Sequence, residues 1–254
     1  MSTAPKALTA RERARIEFTR DIKEAARRQL AEHGPAGLSL RGVARDTGLV
    51  SASALYRYFP GRDALLTALI ADAYDALGDA ADAAAAATHA EPHLTRWAGI
   101  CHAVRDWALA HPHEYALIHG SPVPGYEAPP DTTAPGIRVP FLIGGLFAEA
   151  AAAGAYHPFD DTPVPADTHR ALQPLLGRLP EGTPDALVVA GLSAWTYLFG
   201  AVSFELFGHR AAIVGDHRAY FDHEVRRMGI LLGLGPDRSA PDRPARAEAA
   251  PPAS

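Results

Sequence analysis

Residues Leu38 to Arg62, LSLRGVARDTGLVSASALYRYFPGR, place the tightest constraint on what this chain can fold into. Leu40, Val43 and Ala44 fall at i, i+3, i+4, the apolar face of a short helix, and Ser39 stands where a hydroxyl caps its first turn. Gly48 is the residue able to take the left-handed conformation that ends such a helix. A second short helix, capped by Ser51 or Ser53, carries Leu55 and Phe59 inward at i, i+4 until Pro60-Gly61 stops it. That spacing turns Ala54, Tyr56, Arg57 and Tyr58 partly or wholly outward. A helix too short to persist alone, showing two tyrosines and an arginine, offers a surface to something other than water. Two helices joined by a Gly-containing turn make a helix-turn-helix, the arrangement whose second helix enters the DNA major groove.

Charge supports that reading only when it is resolved along the chain. The net charge of −5 argues weakly against nucleic acid if spread evenly. Residues 1–62, however, hold 12 Lys and Arg against 6 Asp and Glu, and the remainder holds 12 against 23. A basic head can attract phosphate while an acidic body repels it. The single cysteine, Cys101, excludes an intramolecular disulfide and fits a reducing cytoplasm. The opening MSTAPKALTARERAR lacks the apolar core of a signal peptide.

The ordered run GLSLRGVARDTG…ALYRYFPGRDALL resembles the N-terminal domain of the tetracycline-repressor (TetR) family of regulators. The carrying features are a leucine-tyrosine pair, a following aromatic, a turn, and a basic residue opening the next helix. The resemblance implies that Tyr56 and Arg62 contact phosphates. It implies that Ser51, Ser53, Ala54, Arg57 and Tyr58 face bases or adjoining phosphates, and that Arg41 lies near the start of the helix crossing the backbone. The stretch from Gly48 to Leu55 is one residue longer than the family pattern, so the start of the recognition helix stays open.

The chain divides on this reading into a flexible basic arm (1–14), a helix-turn-helix head (15–62), a connecting helix (63–90), a larger helical body (91–235) and a disordered tail (236–254). Thr9-Ala10-Arg11-Glu12 has the spacing of a capping box. Leu65, Leu66, Leu69, Ile70, Ala73, Tyr74 and Leu77 continue one apolar stripe out of the head, which makes the connecting helix the route for any coupling. In the body, Leu94, Trp97, Cys101, Val104 and Trp107 share a helix face, and Pro140 either starts or kinks a later helix. From Ala186 to Phe204 there is no charge at all. Ser193, Thr196 and Ser203 interrupt that run and no basic cluster flanks it, so it reads as a buried or interface helix rather than a membrane span. The last two helices, Pro184 to Phe207 and Asp216 to Leu232, are expected to build a homodimer interface, Phe221, Val225 and Met228 included.

Catalytic and metal chemistry find little support. His111-x-His113, His89-x-x-x-His93 and Glu205-x-x-x-His209 are ligand-like pairs without a third partner, and Asp160-Asp161 sits in a Pro-rich turn. No nucleophile elbow, P-loop or dinucleotide fingerprint occurs. Cys101 beside Trp97 and Trp107 reads as a buried, inert thiol. The body motifs HPHEYALIHGSPVPGY and AWTYLFGAVSFELFGH resemble the TetR-type C-terminal domain named for its Trp-His-Gly motif; Trp195 and Gly200 match, while Phe199 replaces the histidine. Aromatics from several helices, Trp107, Tyr115, Phe141, Trp195 and Phe199, are expected to converge on a small-molecule pocket. The expectation is an all-α, cytoplasmic, dimeric DNA-binding regulator with no catalysis and no cofactor. It binds double-stranded operator DNA and a small apolar effector, not a membrane. Rival readings are an all-α carrier or enzyme with a structural helix-turn-helix, and a non-specific DNA binder.

Overall fold

The first helix begins where Thr9 and Glu12 satisfy each other's end groups. The Thr9 hydroxyl accepts from the Glu12 amide at 3.2 Å, and the Glu12 carboxylate accepts from the Thr9 amide at 2.7 Å. This capping box starts α1 (Ala10–His33), so residues 10–14 are its first turns rather than part of a flexible arm. The computed structural model describes residues 9–48, 52–129, 133–158 and 162–235; residues 1–8 and the tail from 236 lie outside them. Eleven α-helices and no strand occur among the described residues.

Gln29, buried on α1, fixes the angle of the next helix. It accepts from the Ser39 amide at 3.2 Å and donates to Asp46 at 2.9 Å, bracketing both ends of α2 (Leu40–Asp46). A Cβ on Gly42 would lie 2.5 Å from the Gln29 amide nitrogen, so glycine is what lets the two helices approach. Ser39 caps α2 as the sequence indicates, and Gly48 follows it with φ +71°. The very short α3 (Ala52–Leu55) then buries Leu55 and Phe59 against Ile22, Ala26 and Val43.

Helix α4 (Arg62–Ala87) belongs to two cores. Leu65, Leu66, Leu69 and Ile70 complete the head, whereas Ala73, Leu77 and Ala81 pack in the body. There they meet α5 (His93–Ala110), which buries Trp97, Cys101 and Val104 on the face the sequence indicates. Cys101 is fully buried, and desolvation pushes its thiol well above the usual range. The short α6 (Pro112–His119) returns to the head, where Leu117 and the following Val123 join its core. The remaining body consists of α7 (Thr133–Gly136), α8 (Arg138–Ala152), α9 (Ala166–Leu176), α10 (Asp185–Leu206) and α11 (His217–Gly229), closed by a π-helical turn at Ile230–Leu234. Pro140 occupies the first turn of α8, where its missing N–H has no intrahelical partner to lose.

Helix α10 is long and apolar enough to cross a membrane, with a mean hydropathy of 1.6, yet it packs here against α5, α8 and α11. The stripe on α11 needs correction. Phe221 and Val225 are buried within their own chain, against α5, and do not form an outward interface. Trp97 Nε1 donates to the Val225 carbonyl at 2.8 Å. A Cβ on Gly229 would come within 2.6 Å of Leu94. The helix is thus held tightly to its neighbour, and the i, i+4 stripe is consumed by that contact. Val225→Glu is therefore expected to unfold the body, by burying an unpaired charge, rather than to release folded monomers. Loss of a cooperative thermal transition would confirm this; a well-folded monomer with wild-type Tm would contradict it.

Candidate functional site

The head presents a small exposed surface around α3. Tyr56 is 54% exposed, and Arg41, Ser53 and Arg57 also face solvent, with Ala54 half-buried. Arg41 and Arg57 have no hydrogen-bond or ion-pair partner among the described residues, leaving two guanidinium groups free. Arg11 and Arg13 stand exposed on the first turns of α1. Ser51 lies outside the described residues.

Two other expected surface residues are half-buried and engaged within the head. The Tyr58 ring packs on Phe18 with centroids 5.1 Å apart, and the Arg15 guanidinium sits 6.0 Å from the centre of the same ring. Arg62 donates from Nε to the Leu38 carbonyl at 3.2 Å and from Nη2 to the Pro35 carbonyl at 2.8 Å. The cause is local. The 3-10 turn Pro35–Gly37 closes on itself only through a long bond, the Leu38 amide donating to the Pro35 carbonyl at 3.4 Å, and Arg62, at the start of α4, gives that carbonyl a second donor and the Leu38 carbonyl another. Arg62 therefore holds α4 against the loop before α2, and its remaining nitrogen lies 3.7 Å from Asp63.

The body holds a cleft of about 480 Å³ between α8, α9 and α10. Phe141 and Trp195 line it, as expected, together with Leu175, Leu187 and Leu192. Trp107, Tyr115 and Phe199 do not. Their helix positions direct them elsewhere: Trp107 stacks on His111 at 5.0 Å, and Tyr115 is wholly buried with its hydroxyl on Ser203 (2.9 Å) and the Phe199 carbonyl (3.2 Å). Burial pushes the Tyr115 phenol up to about 12. The sequence reading overlooked His119. Its ring lies 4.3 Å from Phe199 and 5.0 Å from Tyr115, its Nε2 is buried without a partner, and desolvation pushes its pKa down to about 4. An imidazole thus meets α10 at the very residue where the family motif has histidine, but it comes from α6. Of the ligand-like pairs, Glu205 is committed to the buried Arg105 at 2.5 and 2.9 Å, and no group of three metal-ligating side chains occurs among the described residues.

Head and body are joined by polar contacts along α4. Asp72 accepts from Lys23 at 2.7 Å and from Arg27 at 2.8 Å, and Arg27 also approaches Glu114 of α6 at 4.0 Å. Thr67 and Tyr126 share a hydrogen bond of 2.9 Å, and the Tyr74 hydroxyl donates to the Ile118 carbonyl. Further along, Arg138 of α8 lies across Gly78 to reach Asp79 at 2.8 Å and Asp82 at 2.6 Å. Those two carboxylates raise its pKa further.

A head of this geometry on an all-helical body has known counterparts. Residues 22–69 match the tetR family of bacterial regulatory proteins, and residues 97–228 match the tetracyclin repressor-like C-terminal domain. The chain belongs to the tetracycline-repressor family of transcriptional regulators. The HTH-type transcriptional regulators Mb1846 of Mycobacterium bovis and Rv1816 of Mycobacterium tuberculosis are each 40% identical to it over 229 residues, covering 86% of this chain and 94% of theirs. The crystal structure of SCO4313 shares 35% identity and superposes with a TM-score of 0.71, over 87% of this chain and 98% of that one. A tetR-family regulatory protein from Rhodococcus RHA1, 15% identical with a TM-score of 0.60 over 87% and 99% of the two chains, shares the fold. This TetR-family protein accordingly has a DNA-binding N-terminal domain and a ligand-binding C-terminal domain.

The three head residues separate by mutation. Tyr56→Ala and Arg57→Ala are expected to leave the melting temperature unchanged while weakening DNA binding; loss of a phosphate contact lowers the salt slope by about 1. Arg62→Ala is expected to destabilise the head by about 1–3 kcal/mol, because two charge-assisted hydrogen bonds that tie α4 to the loop before α2 are lost. Calorimetry beside salt-dependent gel shifts checks the division, which fails if Arg62→Ala melts like wild type.

His119 gives the body an acid sensitivity. Its pKa is about 4 in the fold and near 6.5 when exposed, so between those values the unfolded chain binds the extra proton. The contribution of neutral His119 is fully present above about pH 6.5 and is lost as pH falls toward 4, on the order of 3 kcal/mol in all. His119→Phe should flatten the slope of urea stability against pH across that window. An unchanged slope would show that other groups set it.

Proposed function

We propose that the protein is a soluble cytoplasmic repressor that binds a palindromic operator as a homodimer and is released when a small, largely apolar molecule enters the cleft between α8, α9 and α10. The observation that carries this reading is the double membership of α4, whose first half is packed in the DNA-binding head and whose second half is clamped by Arg138. Arg138 follows directly on Gly136 and Ile137, which belong to the cleft wall. A molecule that displaces this wall pulls on α4 through three acidic partners, Asp75, Asp79 and Asp82. The head then tilts relative to its twin.

The homodimer is supported by the outer side of α10. Ala186, Ser193, Thr196, Gly200 and Phe204 form an uncharged face in solvent, with Phe204 55% exposed. Small residues at this spacing allow a second α10 to approach closely across a two-fold axis. Two heads then meet half-sites one helical turn apart, about 34 Å.

The experiment is footprinting of the full-length protein on genomic fragments, followed by binding to the mapped operator. Phe204→Glu should give folded monomers by sedimentation and lose operator affinity. Arg138→Ala should keep operator binding but lose most of the effector's ability to release it, within the 5- to 150-fold range usual for such coupling. A Phe204→Glu protein that remains dimeric would move the interface off α10. An Arg138→Ala protein that responds fully would remove the clamp from the mechanism.

A further inference from the structure

We infer that the cleft takes an amphipathic anion, a carboxylate on an aliphatic body, with the Arg178 guanidinium at its mouth holding the charged end. This assignment rests on the reading of the cleft as the effector site. The space exists because glycine stands where α8 and α10 cross. A Cβ on Gly191 would lie 3.5 Å from the Gly144 Cα, so the backbones meet closely there, while a Cβ on Gly144 or Gly145 would find no atom within 4 Å. The surrounding side chains, Phe141, Leu175, Leu187, Leu192 and Trp195, are apolar. Water in such a space finds few hydrogen-bond partners, and an alkyl chain displaces it favourably. A volume of about 480 Å³ lies within the ordinary range for a small-molecule site.

The polar end is decided by what remains unsatisfied. The Thr183 hydroxyl spends its proton on the Pro180 carbonyl at 2.7 Å. Arg178 is the one charged residue among those lining the cleft, and its guanidinium has no partner among the described residues. No carboxylate lines the space. A fork of free donors on an apolar chamber selects a planar anion, which it can grip through two parallel hydrogen bonds, over an alcohol or an amine of equal length.

The test titrates the full-length protein with decanoate, decan-1-ol and decylammonium, reading tryptophan fluorescence with Trp195→Phe to assign the signal. Decanoate should bind at least tenfold tighter than decanol, with decylammonium weakest, and each methylene removed from the acid should weaken it about fourfold. Arg178→Gln should bring decanoate to the level of decanol and leave decanol unchanged. Gly145→Leu, which grows into empty space on a helix and so keeps the fold, should abolish binding of both. Equal affinities for decanoate and decanol in the wild type, or a preference that survives Arg178→Gln, would overturn the assignment. So would wild-type decanoate affinity in Gly145→Leu, since the molecule would then sit elsewhere. Operator binding separates the two readings: Arg178-dependent binding of decanoate without operator release refutes the effector role and keeps the anion site, whereas equal release by decanol keeps the effector role and refutes the anion site.

Discussion

One uninterrupted helix, α4, is the constraint on which the rest of this structure depends. Between Ile70 and Ala73 it passes from the head core to the body core without a break in its hydrogen-bonded backbone. Head and body therefore cannot move as if joined by a loose linker; any change in one must bend, rotate or translate a rigid rod packed in the other. Asp72 stands at that passage, and Lys23 and Arg27 of α1 converge on it. The three side chains are partly exposed, so their mutual attraction is screened and modest in free energy. Their geometric effect is larger than their energetic one, because they fix the rotation of α1 about α4 at the point of transfer.

The same helix explains two residues with opposite surface roles. Arg62 at its start, which the family resemblance places on phosphate, and Arg138 across its middle are both held against α4 by groups of the chain itself. Arg62 donates to the Pro35 and Leu38 carbonyls at either end of the 3-10 turn, and Arg138 lies in the notch left by Gly78. A Cβ on Gly78 would come within 2.7 Å of the guanidinium carbon, so glycine in mid-helix, at some cost in helix propensity, is what admits the clamp. Arg41 and Arg57, by contrast, are exposed and have no hydrogen-bond or ion-pair partner among the described residues.

The parts legible in the sequence were those governed by local periodicity. Ser39 as cap, Gly48 as left-handed stop, Leu55 and Phe59 as inward anchors, and the apolar face of α5 all follow from spacing within one or two helical turns. What periodicity leaves undetermined is which neighbour fills a stripe. Phe221 and Val225 read equally well as an interface or as a packed core; the contact with Trp97 decides, and that contact spans 128 residues of sequence. Tyr115 and Phe199 likewise read as pocket aromatics, yet their partners, Ser203 and His119, hold them between α6 and α10, away from the cleft. The signal that could have identified the cleft was the pair Gly144-Gly145 set between Phe141, Leu142, Ile143 and Leu146, Phe147, because glycine there removes side chains just where a pocket needs room.

The charge-free run of α10 now has a physical account. A helix in a small body usually buries one face and wets the other, so an uncharged run from Ala186 to Phe204 implies more than one apolar surrounding. Its positions divide into three. Ala190, Ala194, Leu198 and Val202 are buried in the core of the chain; Leu187, Leu192 and Trp195 line the cleft; Ala186, Ser193, Thr196, Gly200 and Phe204 lie outside. Core and cleft positions are adjacent around the helix, and the outer face lies opposite them. A cleft wall and the outer face are therefore two sides of one rigid cylinder, and a molecule that shifts the wall must shift the outer face with it. Under the proposed function, in which the outer face is the dimer contact, filling the cleft would reach the operator by two routes at once, through Arg138 to α4 within a subunit and through α10 to the spacing between subunits.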